Sequence, residues 1–215
     1  MTQCVAMLLF PGFTALDVIG PYHALAALPG YEFHFVAEHA GAISDGARVS
    51  LEARLSIDDV DRVDVLVIPG GVAAVKMGRS GHRLVEWIRE VHPTTTWTTS
   101  VCTGALMLGA AGVLEGRAAT THWFCHDELS GYGAIATDRR VVRDGKIVTA
   151  AGVSAGIDMA LTLTELIAGT DYAQAIQLDM EYDPEPPLVG GHPSKTPLAI
   201  TNQLRAMYQG MLDAI

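Results

Sequence analysis

Basic residues are scarce in this chain: 14 Lys and Arg stand against 24 Asp and Glu, a formal net charge of -10 at pH 7. No run of Lys or Arg interrupts that balance, and an acidic surface repels phosphate backbones, so nucleic acid is a poor partner. Long hydrophobic runs are missing too. The apolar stretch from Val5 to Phe10 has no basic segment before it and no cleavage site after it, and no segment approaches the roughly 18 apolar residues of a membrane span. Three cysteines, Cys4, Cys102 and Cys125, are an odd number for a disulfide framework. They point to a reducing, cytoplasmic setting in which a single cysteine can be catalytic.

What is abundant is core-forming material. With 215 residues, 49% hydrophobic, 18% charged and 22 glycines, the chain suits one domain over residues 1–215. Val5 to Phe10, Tyr31 to Glu38, Val63 to Ile68 and Thr94 to Val101 read as strands. The continuous β-branched run at Val63 marks a central parallel strand. Helical patterns cover Leu16 to Leu28, where Gly20-Pro21 suggests a turn or restart, then Gly81 to His92, Thr103 to Ala111, Asp171 to Glu181 and Pro197 to Ala214. A long helix runs from Ser154, as N-cap, to Ala168. Arg48 to Ile57 suggests small hairpin strands, and Asp144-Gly145 a hairpin turn. Half of the ten prolines fall between Pro184 and Pro197, which reads as a surface loop. Strands alternating with helices predict an α/β fold: a three-layer αβα sandwich around a mostly parallel sheet, flavodoxin-like.

Chemistry concentrates at Ser100-Val101-Cys102-Thr103-Gly104-Ala105. A β-branched strand feeds Cys102, a small-residue helix follows at once, and Gly104 supplies the residue without a Cβ that a tight turn needs. That is the pattern of a nucleophile elbow at the carboxyl end of a strand. The helix N-terminus favours negative charge there, predicting a lowered thiol pKa and a thiolate nucleophile. Local sequence also permits a small buried hydrophobe at Cys102; for Cys4, inside a strand, that core role is the better reading. Gly70-Gly71, after the central strand, can offer backbone N–H groups to a developing charge or simply turn. His122, Cys125 and His126 have i, i+4 spacing but no compact set of further ligands, so no metal is assigned. Ser154 and Asp158 start and orient a helix.

These segments, with Ile68-Pro69-Gly70-Gly71, Leu8-Leu9-Phe10-Pro11, Leu16-Asp17 and Gly20-Pro21, Ala119-Thr120-Thr121-His122-Trp123, Val141-Val142-Arg143-Asp144-Gly145 and Ala155-Gly156-Ile157-Asp158, resemble the ThiJ/PfpI branch of the class I glutamine-amidotransferase-like superfamily. Within it they most resemble the isocyanide hydratases. The resemblance runs to about Pro187. It implies a catalytic set of Cys102, Asp17 and Thr103, with Asp17 holding or relaying a proton for the thiol where many relatives have glutamate. On local sequence alone the better reading of Asp17 is a helix N-cap or first-turn acid. Gly70, Gly71 and His122 become candidate substrate-binding residues. Thr103 occupies the position of a histidine in the proteolytic branch, which argues against peptide hydrolysis by a Cys-His pair.

The activity implied is that of a lyase adding water to an isocyanide through a covalent cysteine thioimidate, with no cofactor and a small-molecule substrate. Two alternatives stand beside it. One is a glyoxalase- or deglycase-like enzyme acting on methylglyoxal, and the other is a cysteine redox or ligand sensor. Related regulators carry a C-terminal helix-turn-helix module, whereas here one helix without a basic recognition region follows the domain. The resemblance also implies a homodimer, to which apolar residues of the last helices would contribute.

Overall fold

The computed structural model describes residues 2–214. Its seven-stranded main sheet runs in the order β10-β11-β7-β6-β1-β2-β5. These strands are β1 (Gln3–Leu9), β2 (Tyr31–Ala37), β5 (Leu55–Ser56), β6 (Val65–Ile68), β7 (Trp97–Val101), β10 (Val141–Asp144) and β11 (Ile147–Ala150). All neighbours are parallel except the edge pair β10–β11, the hairpin whose turn is Asp144-Gly145. Val5 to Leu9 and Val65 to Ile68 are fully buried, as a central strand covered on both faces demands.

Helices α1 (Ala15–Leu25), α6 (Ala155–Ala168) and α7 (Thr170–Asp179) form one packed layer. Helices α2 (Val72–Ser80), α3 (Arg83–Val91), α4 (Gly104–Ala110) and α5 (His126–Gly131) form the other. The architecture is therefore the expected α/β sandwich. Helix α8 (Leu198–Asp213) follows the proline-rich segment, which has no regular structure, and reaches the sandwich at α2. Among the described residues no helix is long and apolar enough to cross a membrane.

Three local readings change. Gly20-Pro21 makes no turn, because α1 runs through it. A Cβ on Gly20 would lie 2.9 Å from Ile157 Cγ1, and Pro21 faces Gly156, so both residues serve the close α1–α6 contact. Arg48 to Ile57 is not a hairpin in itself. Its first half is β4 (Ser50–Ala53), which pairs with β3 (Gly41–Ser44), while β5 joins the main sheet. Asp45 makes that choice: its Oδ1 accepts from Ala47 N at 2.7 Å and Val49 N at 3.1 Å, closing the β3–β4 turn. Ser154 precedes α6, but its side chain caps nothing; its Oγ accepts from Arg140 instead. The small pair β8 (Ala118–Ala119) and β9 (Ile135–Ala136) was not foreseen, nor were α2 and α5.

Sheet order reverses at β1: β2 lies on one side and β6 on the other. Crevices at the carboxyl ends of strands beside such a reversal are where open α/β sheets bind ligands. The turns after β1, β6 and β7 meet there, and Gly104 makes their approach possible. A Cβ on it would collide with the Ile68 carbonyl oxygen and lie 2.7 Å from that of Pro69. Gly104→Ala is expected to destabilise the protein by about 1–3 kcal/mol in urea unfolding. Gly131→Ala, with nothing within 4 Å of the new methyl, is expected to be neutral or stabilising by up to about 1 kcal/mol. Equal midpoints for the two variants would remove the packing role assigned to Gly104.

Candidate active site

Cys102 follows β7 directly with φ of 55°, one of two non-glycine residues in the left-handed region among those described. Such a conformation costs about 1–3 kcal/mol and needs support from its surroundings. Here its N–H is shared by the Ala150 and Ala151 carbonyls, at 3.1 and 2.9 Å, and its own carbonyl accepts from Thr121 Oγ1 at 2.9 Å. The turn is a nucleophile elbow in geometry. The side chain does not stand clear of the sheet, however, for only 6% of the residue is exposed.

Burial reverses the expected acidity. The Cys102 thiol is held well above its ordinary pKa, first by desolvation and next by the negative charge of Asp17. Backbone N–H groups of Thr103 and Val153 oppose that rise without overcoming it. The stabilisation expected from the helix is small against this, since α4 has only seven residues. The thiol therefore keeps its proton at neutral pH until something nearby removes it.

Asp17 is the acid whose charge the thiol feels. It occupies the first turn of α1, as a dipole-stabilised acid would, yet its fully buried side chain crosses to β6, where Oδ2 accepts from Gly70 N at 2.8 Å. Oδ1 has no hydrogen-bond partner among the described residues. Desolvation raises the carboxyl to about 7, although the Gly70 bond pulls downward. Asp17 thus exchanges protons near neutrality, as an acid-base partner must.

The glycines play a different part from the one expected. Gly70 N–H is committed to Asp17, and Gly71 N–H donates to Thr103 Oγ1 at 2.8 Å. Thr103 Oγ1 in turn donates to the Gly71 carbonyl at 2.9 Å. Neither glycine N–H is left for an oxyanion. Around the sulfur that position belongs to Thr103 and Val153 N–H, and sequence alone could not place Val153 there because it lies beyond β11. Gly70 remains essential as a gap: a Cβ would sit 2.6 Å from Thr103 N and 2.9 Å from Asp17 Oδ2.

Cys102, Thr103, Gly71 and His122 line one cavity of about 230 Å³. Val72, Val75, Phe124, Val153, Met211 and Leu212 supply apolar wall, and no Asp, Glu, Lys or Arg is among its described lining residues. His122 is neutral there, since burial and the nearby His126 lower its pKa to about 4. Its Nδ1 accepts from Phe124 N at 3.5 Å, and its ring meets Tyr208 edge-on at 5.1 Å. Cys125 lines the cavity as a neutral thiol raised to about 12. Among the described residues no three metal-ligating side chains converge, and His126 faces the Thr121 carbonyl. Asp158 takes Arg140 and Tyr182 as partners, away from the thiol. A larger depression of about 330 Å³ beside α3, with Asp58, Arg83 and Glu86 on its rim, holds no thiol or hydroxyl.

The chain is similar to known proteins along most of its length. Residues 3–166 match the DJ-1/PfpI family. The isonitrile hydratase of Pseudomonas putida is 41% identical over 205 residues, covering 95% of this chain and 90% of that protein. Deglycase PfpI of Pyrococcus furiosus is 32% identical over 139 residues, 64% of this chain and 82% of that protein. The crystal structure of a ThiJ/PfpI family protein from Pseudomonas syringae superposes with a TM-score of 0.92 at 33% identity, covering 99% of this chain and 88% of that one.

The Asp17 environment has a signature in stability. A carboxyl near 4 when unfolded and about 7 when folded stabilises the native state below pH 4. That contribution is lost as pH rises through 7, at most about 4 kcal/mol for a full shift. The unfolding free energy of wild type minus that of Asp17→Asn is therefore expected to fall between pH 4 and pH 8 in urea titrations. A difference that rises over this range would show that Asp17 is ionised in the native state.

Proposed function

The chain belongs to the DJ-1/PfpI family, and on that premise we propose that it is an isocyanide hydratase. This is a lyase that adds water to the terminal carbon of R–N≡C and releases an N-formamide. The observation that carries this reading is a buried thiol near a buried carboxyl whose pKa is raised to about 7, beside a small cavity with no charged side chain among its described lining residues. The 41% identity to isonitrile hydratase along nearly the whole of both chains supports it.

The steps follow from the proton positions. Ionised Asp17 takes the Cys102 proton as the sulfur bonds to the terminal carbon, and that carbon then receives the proton, giving the thioimidate R–N=CH–S–Cys102. Charge building on sulfur during transfer meets the Thr103 and Val153 N–H groups. Water adds to the same carbon, Asp17 relays its proton toward nitrogen, and the C–S bond breaks. R–NH–CHO leaves and the thiol recovers its proton. No cofactor enters, since the covalent intermediate carries the chemistry. Thr103 serves by locking Gly71 and presenting its own N–H to the sulfur.

A deglycase-like reaction is the second reading, supported by the likeness to Deglycase PfpI over 64% of the chain. The uncharged, largely apolar lining favours an isocyanide over a hydrated carbonyl such as methylglyoxal. We further read the protein as a cytoplasmic homodimer of one-domain chains. Three free cysteines suit a reducing compartment, and exposed Leu178, Leu198 and Ile200 suit a subunit contact.

Steady-state assay with p-nitrophenyl or cyclohexyl isocyanide tests the function. Wild type should form N-formamide, Cys102→Ala none, and Asp17→Asn should lose about 10²–10⁴-fold in kcat. Methylglyoxal turnover without isocyanide turnover would favour the second reading. The active thiol–carboxyl pair holds one proton in total. Below about pH 7 it holds two, so kcat/KM should rise about tenfold per pH unit and level off above that point. An activity that falls as pH rises from 5 to 7 would break the proposed proton path.

A further inference from the structure

Helix α8 lies beyond residue 166, where the family match ends, yet part of the active cavity is made from it. Tyr208, Met211 and Leu212 stand on its last two turns and face the same space as Cys102. The helix does little for the core: Thr201 is its single buried residue among those described. What holds it is placed around the cavity. Arg79 of α2 pairs with Glu128 of α5 at 2.9 and 3.0 Å and also donates to the Leu212 carbonyl at 3.3 Å. At the other side Tyr208 packs on His122, Phe124 and Trp123, with ring centroids 5.1, 5.4 and 6.0 Å away. Arg205 lies 5.2 Å over the Trp123 ring.

We propose that this end of α8 is the specificity wall of the site, the surface that reads the R group of the substrate. The carbon that reacts must reach Cys102 at the strand ends, so the rest of the molecule points toward the mouth, where Tyr208, Met211 and Leu212 stand. A cavity of about 230 Å³ is below the roughly 300–1,000 Å³ of pockets for drug-sized ligands. With Met211, Leu212 and the Tyr208 ring as walls and no charged side chain among the described lining residues, it fits a small uncharged alkyl or aryl group. An ionised substituent would lose its hydration without gaining a partner. Identification of R as the substituent of an isocyanide rests on the proposed function; the position of the wall does not.

Two variants and two chemistries separate those claims. Tyr208→Ala widens the mouth. Met211→Trp narrows it at a residue that is 43% exposed, so that variant keeps its fold and carries the test alone if the first does not. Alkylation of Cys102 by iodoacetamide and by the bulkier iodoacetanilide is followed by peptide mass spectrometry, which separates Cys102 from Cys125. Tyr208→Ala should raise the bulky-to-small rate ratio about tenfold and Met211→Trp should lower it by a similar factor, the scale of discrimination that pocket size gives. The ratio of kcat/KM for cyclohexyl over ethyl isocyanide should move the same way. Unchanged alkylation ratios in folded variants would overturn the wall. Shifted alkylation ratios in a protein without isocyanide turnover would retain the wall and remove the hydratase reading.

Discussion

A cysteine backbone held in the left-handed region is the constraint on which the rest of the site is built. With φ of 55° at Cys102, the chain leaves β7 abruptly and enters α4 within two residues. The strain persists because the neighbours over-determine it: two β11-side carbonyls take the Cys102 N–H, Thr121 holds its carbonyl, and Gly104 tolerates the β6 carbonyls. Each support comes from a different element, so the thiol position depends on the register of β6, β7 and β11 together. The sulfur is thereby fixed by the sheet instead of by a flexible loop.

The same fixation sets the proton chemistry. A thiol buried at the centre of an α/β sandwich cannot ionise alone, and Asp17 as a second buried acid makes ionisation harder still. Two groups that resist charge and lie near each other titrate as one unit, and in the proposed mechanism one proton passes from sulfur to carboxyl as substrate arrives. Gly70 N–H tunes the balance by stabilising the carboxylate, keeping Asp17 at about 7. Thr103 then locks the Gly71 turn beside it. A thiolate activated by a helix dipole would be reactive without substrate. In the proposed mechanism the thiol ionises only as Asp17 takes up its proton, which protects it until a substrate carbon arrives.

The strands and the elbow were legible because their signals are local. Val65 to Ile68 is apolar throughout, and the glycine two residues after Cys102 has one steric reason to be there. Gly20-Pro21 misled because a glycine needed for helix contact and a glycine needed for a turn look alike until Ile157 is opposite it. The direction of the thiol pKa was misread for a related cause: a helix N-terminus is visible in sequence, whereas burial by distant residues and a facing carboxylate are not. The assignment of Gly70 and Gly71 N–H to an oxyanion failed because both find partners across the fold, in Asp17 and Thr103. Val153 and Tyr208 carried no signal, since each reaches the site from far along the chain.

Those two late residues divide the labour of the site. Val153 belongs to the sandwich, just before α6, and acts at the sulfur; Tyr208 belongs to α8 and acts at the mouth. The proposed chemistry thus falls on elements within the family match, where a displacement would disturb the sheet, and the proposed selection on a helix with one buried residue among those described. Such a helix can change its cavity-facing side chains at little cost to folding, because few of its contacts are core contacts. In the proposed mechanism, a rigid thiol–carboxyl pair under a loosely committed wall would let substrate choice change while the proton path stays fixed.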